Sequence, residues 1–216
     1  MKIVPAVLAE SFDEFLLRLK QAESFTDYVQ IDLMDGIFVP SKSILPEKIN
    51  EVHTTLSFEV HVMAQDPFDV MNRINHKGLK KIIFHFEAAV DHSEMIKRIR
   101  DKGLNSGMAI NPETEMDKIK DIVKNVDTIL FLTVDPGRYG SPFRPEVLKK
   151  IRKAKNIFKN KAISADGGVS LDNLKTFYDL GVDYVCVGSR IFLNGNPADN
   201  YHRFIKRLQE FERVSV

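Results

Sequence analysis

The chain has 216 residues, 44% of them hydrophobic, which is enough to bury one large core. Its 31 basic and 30 acidic residues nearly cancel and form no basic block, so its charge suits neither nucleic acid nor an acidic membrane surface. No uncharged run reaches the length of a membrane span, and the apolar run from Met1 to Leu8 is too short for a signal peptide; the expected location is the cytoplasm.

Short apolar runs alternate with amphipathic stretches from end to end, and the runs predict strands at 3–8, 28–33, 56–62, 80–85, 106–110, 128–132, 161–165 and 184–187. After the first strand, Ser11-Phe-Asp-Glu14 offers a capping box before Phe15, Leu16 and Leu19. The second strand runs into Gln30-Ile-Asp-Leu-Met-Asp-Gly36, where period-2 alternation aims Gln30, Asp32 and Met34 at one face. The third carries His61 and Met63 in the same sense, and the fourth carries His85 on the parity of Ile83. A helix expected from Asp91 through Ile96 and Ile99 stops at Lys102-Gly103, and the same glycine stop is expected at Lys77-Gly78 and Leu180-Gly181. Cys186, the single cysteine, lies inside the last strand, where packing is the expected role. Strand and helix alternate with no linker, so residues 1–216 are expected to form one α/β domain, a (β/α)8 TIM barrel with parallel strands. An open doubly wound sheet is the rival, but no G-x-G-x-x-G follows the first strand.

Polar residues gather at the strand ends, where a barrel does its chemistry. After the sixth strand comes Thr133-Val-Asp-Pro-Gly137-Arg-Tyr-Gly140, after the seventh Asp166-Gly167-Gly168, and after the eighth Gly188-Ser189-Arg190. Glycines let main-chain N–H groups ring an anion, so these loops are expected to bind a phosphate, with Arg138 and Arg190 adding charge and Tyr139 in the same loop. Each glycine taken alone reads as a turn; three consecutive loops built this way point to a site. Asp32 and Asp166 end the second and seventh strands, so across a barrel mouth they flank a ligand. Two such carboxylates suit removal of a proton beside a carbonyl and its return to the opposite face. His61 with one or both of them is a candidate holder of a divalent metal, against the blander reading of a structural histidine. Met34 and Met63 share the inward face and either fill core or shape the pocket. His85 reads as a supporting or a packed residue, and Asp35 before Gly36 as a turn residue.

At these residues the chain resembles the ribulose-phosphate 3-epimerase family, metal-dependent (β/α)8 barrels. The resemblance covers Asp32-Leu-Met-Asp-Gly-Ile-Phe-Val-Pro40, Val60-His-Val-Met63, Phe84-His-Phe-Glu-Ala88, Asn111-Pro-Glu-Thr114, Thr133-Val-Asp-Pro-Gly137, Asp166-Gly-Gly168 and Gly188-Ser189, in family order over nearly the whole length. It implies that Asp32 and Asp166 are the acid/base pair and metal ligands, that His61 is a further ligand beside the substrate, and that the glycine-rich loops take the substrate phosphate. It also implies a homo-oligomer. Two positions depart: Gln30 stands where the family has a ligating His, and Ala9 where it has Ser. An amide oxygen from Gln30 is a poorer zinc or iron ligand than imidazole, which leaves Zn, Fe, Mn, Co or Mg as the divalent ion and tilts an oxygen-rich set toward manganese or magnesium. Arg138 and Tyr139 replace the family's usual Phe and Gly, and Arg190 stands where a small residue is common.

The leading expectation is a 3-epimerase acting on a sugar phosphate, D-ribulose 5-phosphate and D-xylulose 5-phosphate, through an enediolate. The alternatives are an epimerase for another sugar phosphate such as a hexulose 6-phosphate, and a phosphosugar-binding barrel that has lost turnover. A lyase or decarboxylase on a similar barrel is a third class, but such enzymes carry a Lys among the early-strand acids, and Asp32-Leu-Met-Asp35 has none.

Overall fold

The computed structural model describes residues 1–137 and 140–214. Eight parallel strands close into a barrel in chain order: β1 (Lys2–Val7), β2 (Tyr28–Met34), β3 (Ser57–Met63), β4 (Leu79–His85), β5 (Asn105–Ile110), β6 (Thr128–Leu132), β7 (Ala162–Asp166) and β8 (Tyr184–Val187). The (β/α)8 architecture expected from the alternation is therefore the one found, each strand lying within one residue of its expected bounds. These segments are legible because a barrel strand is buried on both faces: β2 and β3 have only their first residue outside the buried class. One face, including Val29, Ile31, Leu33, Val60 and Val62, packs outward under the helices. The other fills the barrel with Val4, Ala6, Ile83, Ala109, Leu130, Leu132, Tyr184 and Cys186. Cys186 is thus a packed core thiol, as its strand position predicts.

The crossovers carry α1 (Phe12–Ala22), α2 (Pro67–Arg73), α3 (His92–Asp101), α4 (Met116–Ile119), α5 (Val147–Ile157), α6 (Leu174–Asp179), α7 (Ser189–Phe192) and α8 (Pro197–Val214). Ser11 caps α1 by accepting from the Glu14 N–H at 3.3 Å, and the Glu14 carboxylate reaches one residue further back than a capping box would, to the Glu10 N–H. Asp91 caps α3 by accepting from the Ser93 and Glu94 N–H groups, and the chain leaves that helix through Gly103 at φ +74.

Two expectations need correction. No α-helix bridges β2 and β3; a 3-10 helix at Pro46–Glu51 does, because the preceding segment, broken by Pro40 and Pro46, packs Phe38 and Val39 on Met34 and Met63 instead. Gly78 does not stop a helix either, since α2 ends at Arg73. Its role is close packing: a Cβ there would lie 2.6 Å from the Leu56 carbonyl oxygen and 2.8 Å from the Phe58 ring.

Register fixes what reaches the mouth. Between β2 and β3, Gln30 pairs with Glu59, Asp32 with His61, and Met34 with Met63, so one step along both strands moves from core to site. No helix among the described residues is long and apolar enough to cross a membrane.

Candidate active site

Asp32, at the end of β2, is almost fully buried, and Asp166, at the end of β7, stays partly open to the cavity. Their carboxylates converge. The Gln30 side-chain nitrogen donates to Asp32 Oδ1 at 2.9 Å and to Asp166 Oδ2 at 2.8 Å, so carboxylates from β2 and β7 share one donor. His61 Nδ1 completes the group, 3.2 Å from Asp32 Oδ1 and 3.5 Å from Asp166 Oδ2. One ligand atom from each of Asp32, His61 and Asp166 lies within 4.8 Å of the others.

Electrostatics in this cluster are set by burial and crowding. Burial pushes the Asp32 carboxyl above its usual range and the neighbouring Asp166 charge adds to this, against hydrogen bonds from His61 and Gln30. Burial opposes a charged ring at His61, yet hydrogen bonds and charge from Asp166 and Asp32 outweigh it and hold the imidazole pKa at about 9. One buried and one partly open carboxylate facing one imidazole are short of positive charge.

Gln30 departs from expectation. Its side chain is fully buried, but the nitrogen faces the carboxylates, and the oxygen accepts from the Cys186 thiol at 3.0 Å. An oxygen ligand to a metal, expected from the sequence, would need the amide turned over. The physical reason lies on β8: Cys186 offers a donor to the oxygen, and the carboxylates demand one from the nitrogen.

Behind His61 runs a buried relay. His61 Nε2 lies 2.9 Å from His85 Nε2, the two rings stacked with centroids 5.0 Å apart. His85 Nδ1 lies 3.2 Å from Glu87 Oε2, and Glu87 Oε1 accepts from the Asn111 N–H at 3.0 Å and from the Thr114 hydroxyl. Burial, joined by the charge on His61, pulls the His85 pKa down to about 4 despite Glu87. Burial alone would raise the Glu87 carboxyl, but hydrogen bonds from His85, Thr114 and the Asn111 N–H together keep it below its usual range. Of the two roles open to His85 in the sequence, support of His61 is the one its geometry shows. Glu87, Asn111 and Thr114 drew no role from the sequence; the signal was there in His85-x-Glu87, with His85 on the inward parity of β4.

A cavity opens above the cluster, lined by Asp32, His61, Asp166, Met34 and Met63 and by Gly137, Gly140, Gly167, Gly168, Gly188 and Ser189 from the β6, β7 and β8 loops. The glycine-rich loops and the charged cluster thus share one opening, and Met34 and Met63 shape its wall while packing on Leu8 and Val39. Gly167 shows why glycine is needed: at φ +98 it sits so close to Val134 that a Cβ would lie 2.3 Å from that side chain. Asp35 is the expected turn residue, accepting from the Ile37, Phe38 and Gln65 N–H groups. Arg190 is placed elsewhere: it is exposed and lines a separate depression with Ser170, Asp172 and Arg203, because α7 turns its side chain off the mouth. Arg138 and Tyr139 lie outside the described residues.

Known proteins share this fold. Similar barrels include 3-hexulose-6-phosphate synthase from Salmonella typhimurium, at TM-score 0.71 and 14% identity over 97% of this chain and 99% of that one. Orotidine 5'-monophosphate decarboxylase from Sulfolobus solfataricus is similar at TM-score 0.70 and 15% identity, over 97% and 98% of the two chains. At such identities the likeness shows the fold alone. Sequence relatives are nearer. The ribulose-phosphate 3-epimerase of Methanocaldococcus jannaschii is 31% identical over 97% of this chain and 90% of its own, and that of Chlamydia pneumoniae 32% identical over 81% and 79%. Residues 2–192 match the model of the ribulose-phosphate 3 epimerase family, and the chain belongs to that family.

Proposed function

We propose that the protein is a ketose-phosphate 3-epimerase interconverting D-ribulose 5-phosphate and D-xylulose 5-phosphate by two-carboxylate proton transfer. The observation that carries this is the convergence of Asp32 and Asp166 on one donor, beside His61, under three glycine-rich loops. The two acids come from opposite sides of the barrel and have different surroundings, the arrangement that separates an acid from a base. One acid takes the proton from C3 and the other delivers a proton to the opposite face, Asp32 from its buried position and Asp166 from its place open to the cavity. In the reverse direction the roles exchange. Main-chain N–H groups around Gly137, Gly140, Gly167, Gly168, Gly188 and Ser189 hold the phosphate, and Met34 and Met63 press on the sugar from the wall.

The donor set fits a divalent cation: two carboxylates and an imidazole, largely buried, crowded and short of positive charge. Asp32, His61 and Asp166 would hold it, and bound there it would supply positive charge to the oxygens of the enediolate. The homo-oligomer would bury Ile37 and Leu45, exposed apolar residues on the segment after β2, and the enzyme would work in the cytoplasm.

One observation favours a second reading, a phosphosugar-binding barrel without turnover: the Gln30 amide already donates to both carboxylates, which weakens their hold on a cation. The test is conversion of ribulose 5-phosphate to xylulose 5-phosphate with added Mn²⁺, Mg²⁺, Zn²⁺, Co²⁺ or Fe²⁺. Conversion is expected; ribulose 5-phosphate bound but never converted would establish the second reading, and conversion of a hexulose 6-phosphate instead would change the substrate.

A further inference from the structure

We propose that Glu87 and His85 are positioning residues that fix the ring tautomer of His61, leaving its Nδ1 lone pair aimed between Asp32 and Asp166. The inference rests on the cation-site reading above and goes beyond it, because it concerns residues that touch neither substrate nor metal.

The argument is one of donors and acceptors, read along the relay from its outer end. The Asn111 N–H can only donate, and it donates to Glu87 Oε1, which also accepts from the Thr114 hydroxyl. Glu87 is therefore an acceptor, and its second oxygen, 3.2 Å from His85 Nδ1, draws the ring proton to that nitrogen. A neutral imidazole has one N–H, so His85 Nε2 is bare. Facing it at 2.9 Å is His61 Nε2, which must then be the donor. His61 is left with nothing fixed on Nδ1, and that is the atom set between Asp32 Oδ1 and Asp166 Oδ2. A lone pair pressed against two carboxylates is satisfied only by positive charge, either a proton or a cation shared by all three residues. The stacking of the two rings and the packing of Phe38 on His85, centroids 4.8 Å apart, hold the relay in line.

Sequence makes this more consequential here. With Gln30 where the family places an imidazole, His61 is the imidazole of the group, and its tautomer decides whether the site has a nitrogen ligand at all.

Glu87→Gln inverts the logic without changing shape. The Asn111 N–H still needs an acceptor, so the new amide keeps its oxygen there and turns its NH2 to His85 Nδ1. His85 must then carry its proton on Nε2, and a neutral His61 carries one on Nδ1, pointing into the site. The experiment is ring ¹⁵N spectroscopy of the metal-free protein at neutral pH, with calorimetric binding of Zn²⁺ and Mn²⁺. In the wild type, His85 is expected with Nδ1 protonated and Nε2 bare; in Glu87→Gln the two should exchange. Metal affinity should fall about 10- to 100-fold in the variant, and Glu87→Asp, which keeps a charged acceptor, should recover part of it. Equal metal affinity in wild type and Glu87→Gln overturns the proposal. So does a wild-type His85 protonated on Nε2, a readout that needs no variant to fold and no metal to bind. Absence of any metal binding by a wild type whose His85 shows the expected tautomer would instead sink the cation-site reading and leave the relay standing.

Discussion

At the base of the barrel Glu59 is fully buried, with Lys81 2.7 Å away and the Tyr28 and Tyr184 hydroxyls donating to it at 3.1 and 3.2 Å. At the mouth, two residues further along the same strand, the His61 imidazole and one neutral amide, Gln30, meet Asp32 of β2 and Asp166 of β7. The base answers a carboxylate with an ammonium from its own chain, the ammonium and both hydroxyls meeting on the one oxygen Oε2 while Oε1 stays buried without a hydrogen bond. The mouth leaves two carboxylates undercompensated, beside an opening floored with glycine. Alternation on β3 puts Glu59 and His61 on the same inward face, so the difference between a closed ion pair and an open site is one of partners.

The most drastic way to break the mouth is Asp166→Asn or Asp32→Asn. In the proposed reaction each residue both moves the proton and holds the cation, so a steady-state epimerase assay should show at least about 10³-fold loss, with metal binding lost as well. A rate within about tenfold of wild type in either variant would contradict the two-carboxylate account. Glu59→Gln breaks the base instead. It strands the Lys81 ammonium without its counter-charge and should cost about 3 kcal/mol by denaturant unfolding, while turnover per folded molecule stays within about twofold. Sharp loss of turnover there would mean the two ends are coupled.

Gln30→His sharpens the contrast by replacing the shared amide donor with a nitrogen ligand. Zinc affinity should rise about tenfold or more by calorimetry, and turnover with it; no change would count against the role assigned to residue 30.

How far the sequence carried this reading differs between the frame and the site. The strands were legible because a barrel strand is buried on both faces and reads as a short apolar run, as Val60-His-Val-Met63 does, and the mouth residues followed from their parity or their place at the strand ends. The second crossover was less so: the alternation of strand and helix implied a helix between β2 and β3, but Pro40 and Pro46 commit that stretch to an irregular path and a 3-10 turn. Gly78 carries a helix-stop signature yet serves packing against Leu56 and Phe58, contacts that only the β3–β4 register supplies. What could not be read was direction within the site. Which end of the Gln30 amide faces the carboxylates depends on Cys186, 156 residues away, and the His61–His85 contact depends on two side chains meeting across neighbouring strands. Arg190 looked like a phosphate ligand because its neighbours Gly188 and Ser189 line the mouth; one residue further on, α7 has already turned outward.

The smallest expected effect is on stability against pH in the metal-free protein. The His61 pKa, held at about 9 against an ordinary 6.5, means the folded state keeps a proton that the unfolded chain releases first. That stabilisation is complete below pH 6.5 and is lost as the pH rises through 9, so the melting temperature should decline across this window. Saturating divalent cation should flatten the decline, because it replaces the proton between the carboxylates; an unchanged slope would contradict the shared position.

The most direct measurement is solvent exchange at C3. Ribulose 5-phosphate incubated with the metal-supplemented protein in D₂O should give xylulose 5-phosphate carrying one solvent deuteron at C3, a signal that Asp166→Asn abolishes. Substrate recovered without deuterium, whichever of the five metals is supplied, would contradict a proton-transferring pair at the mouth of this barrel.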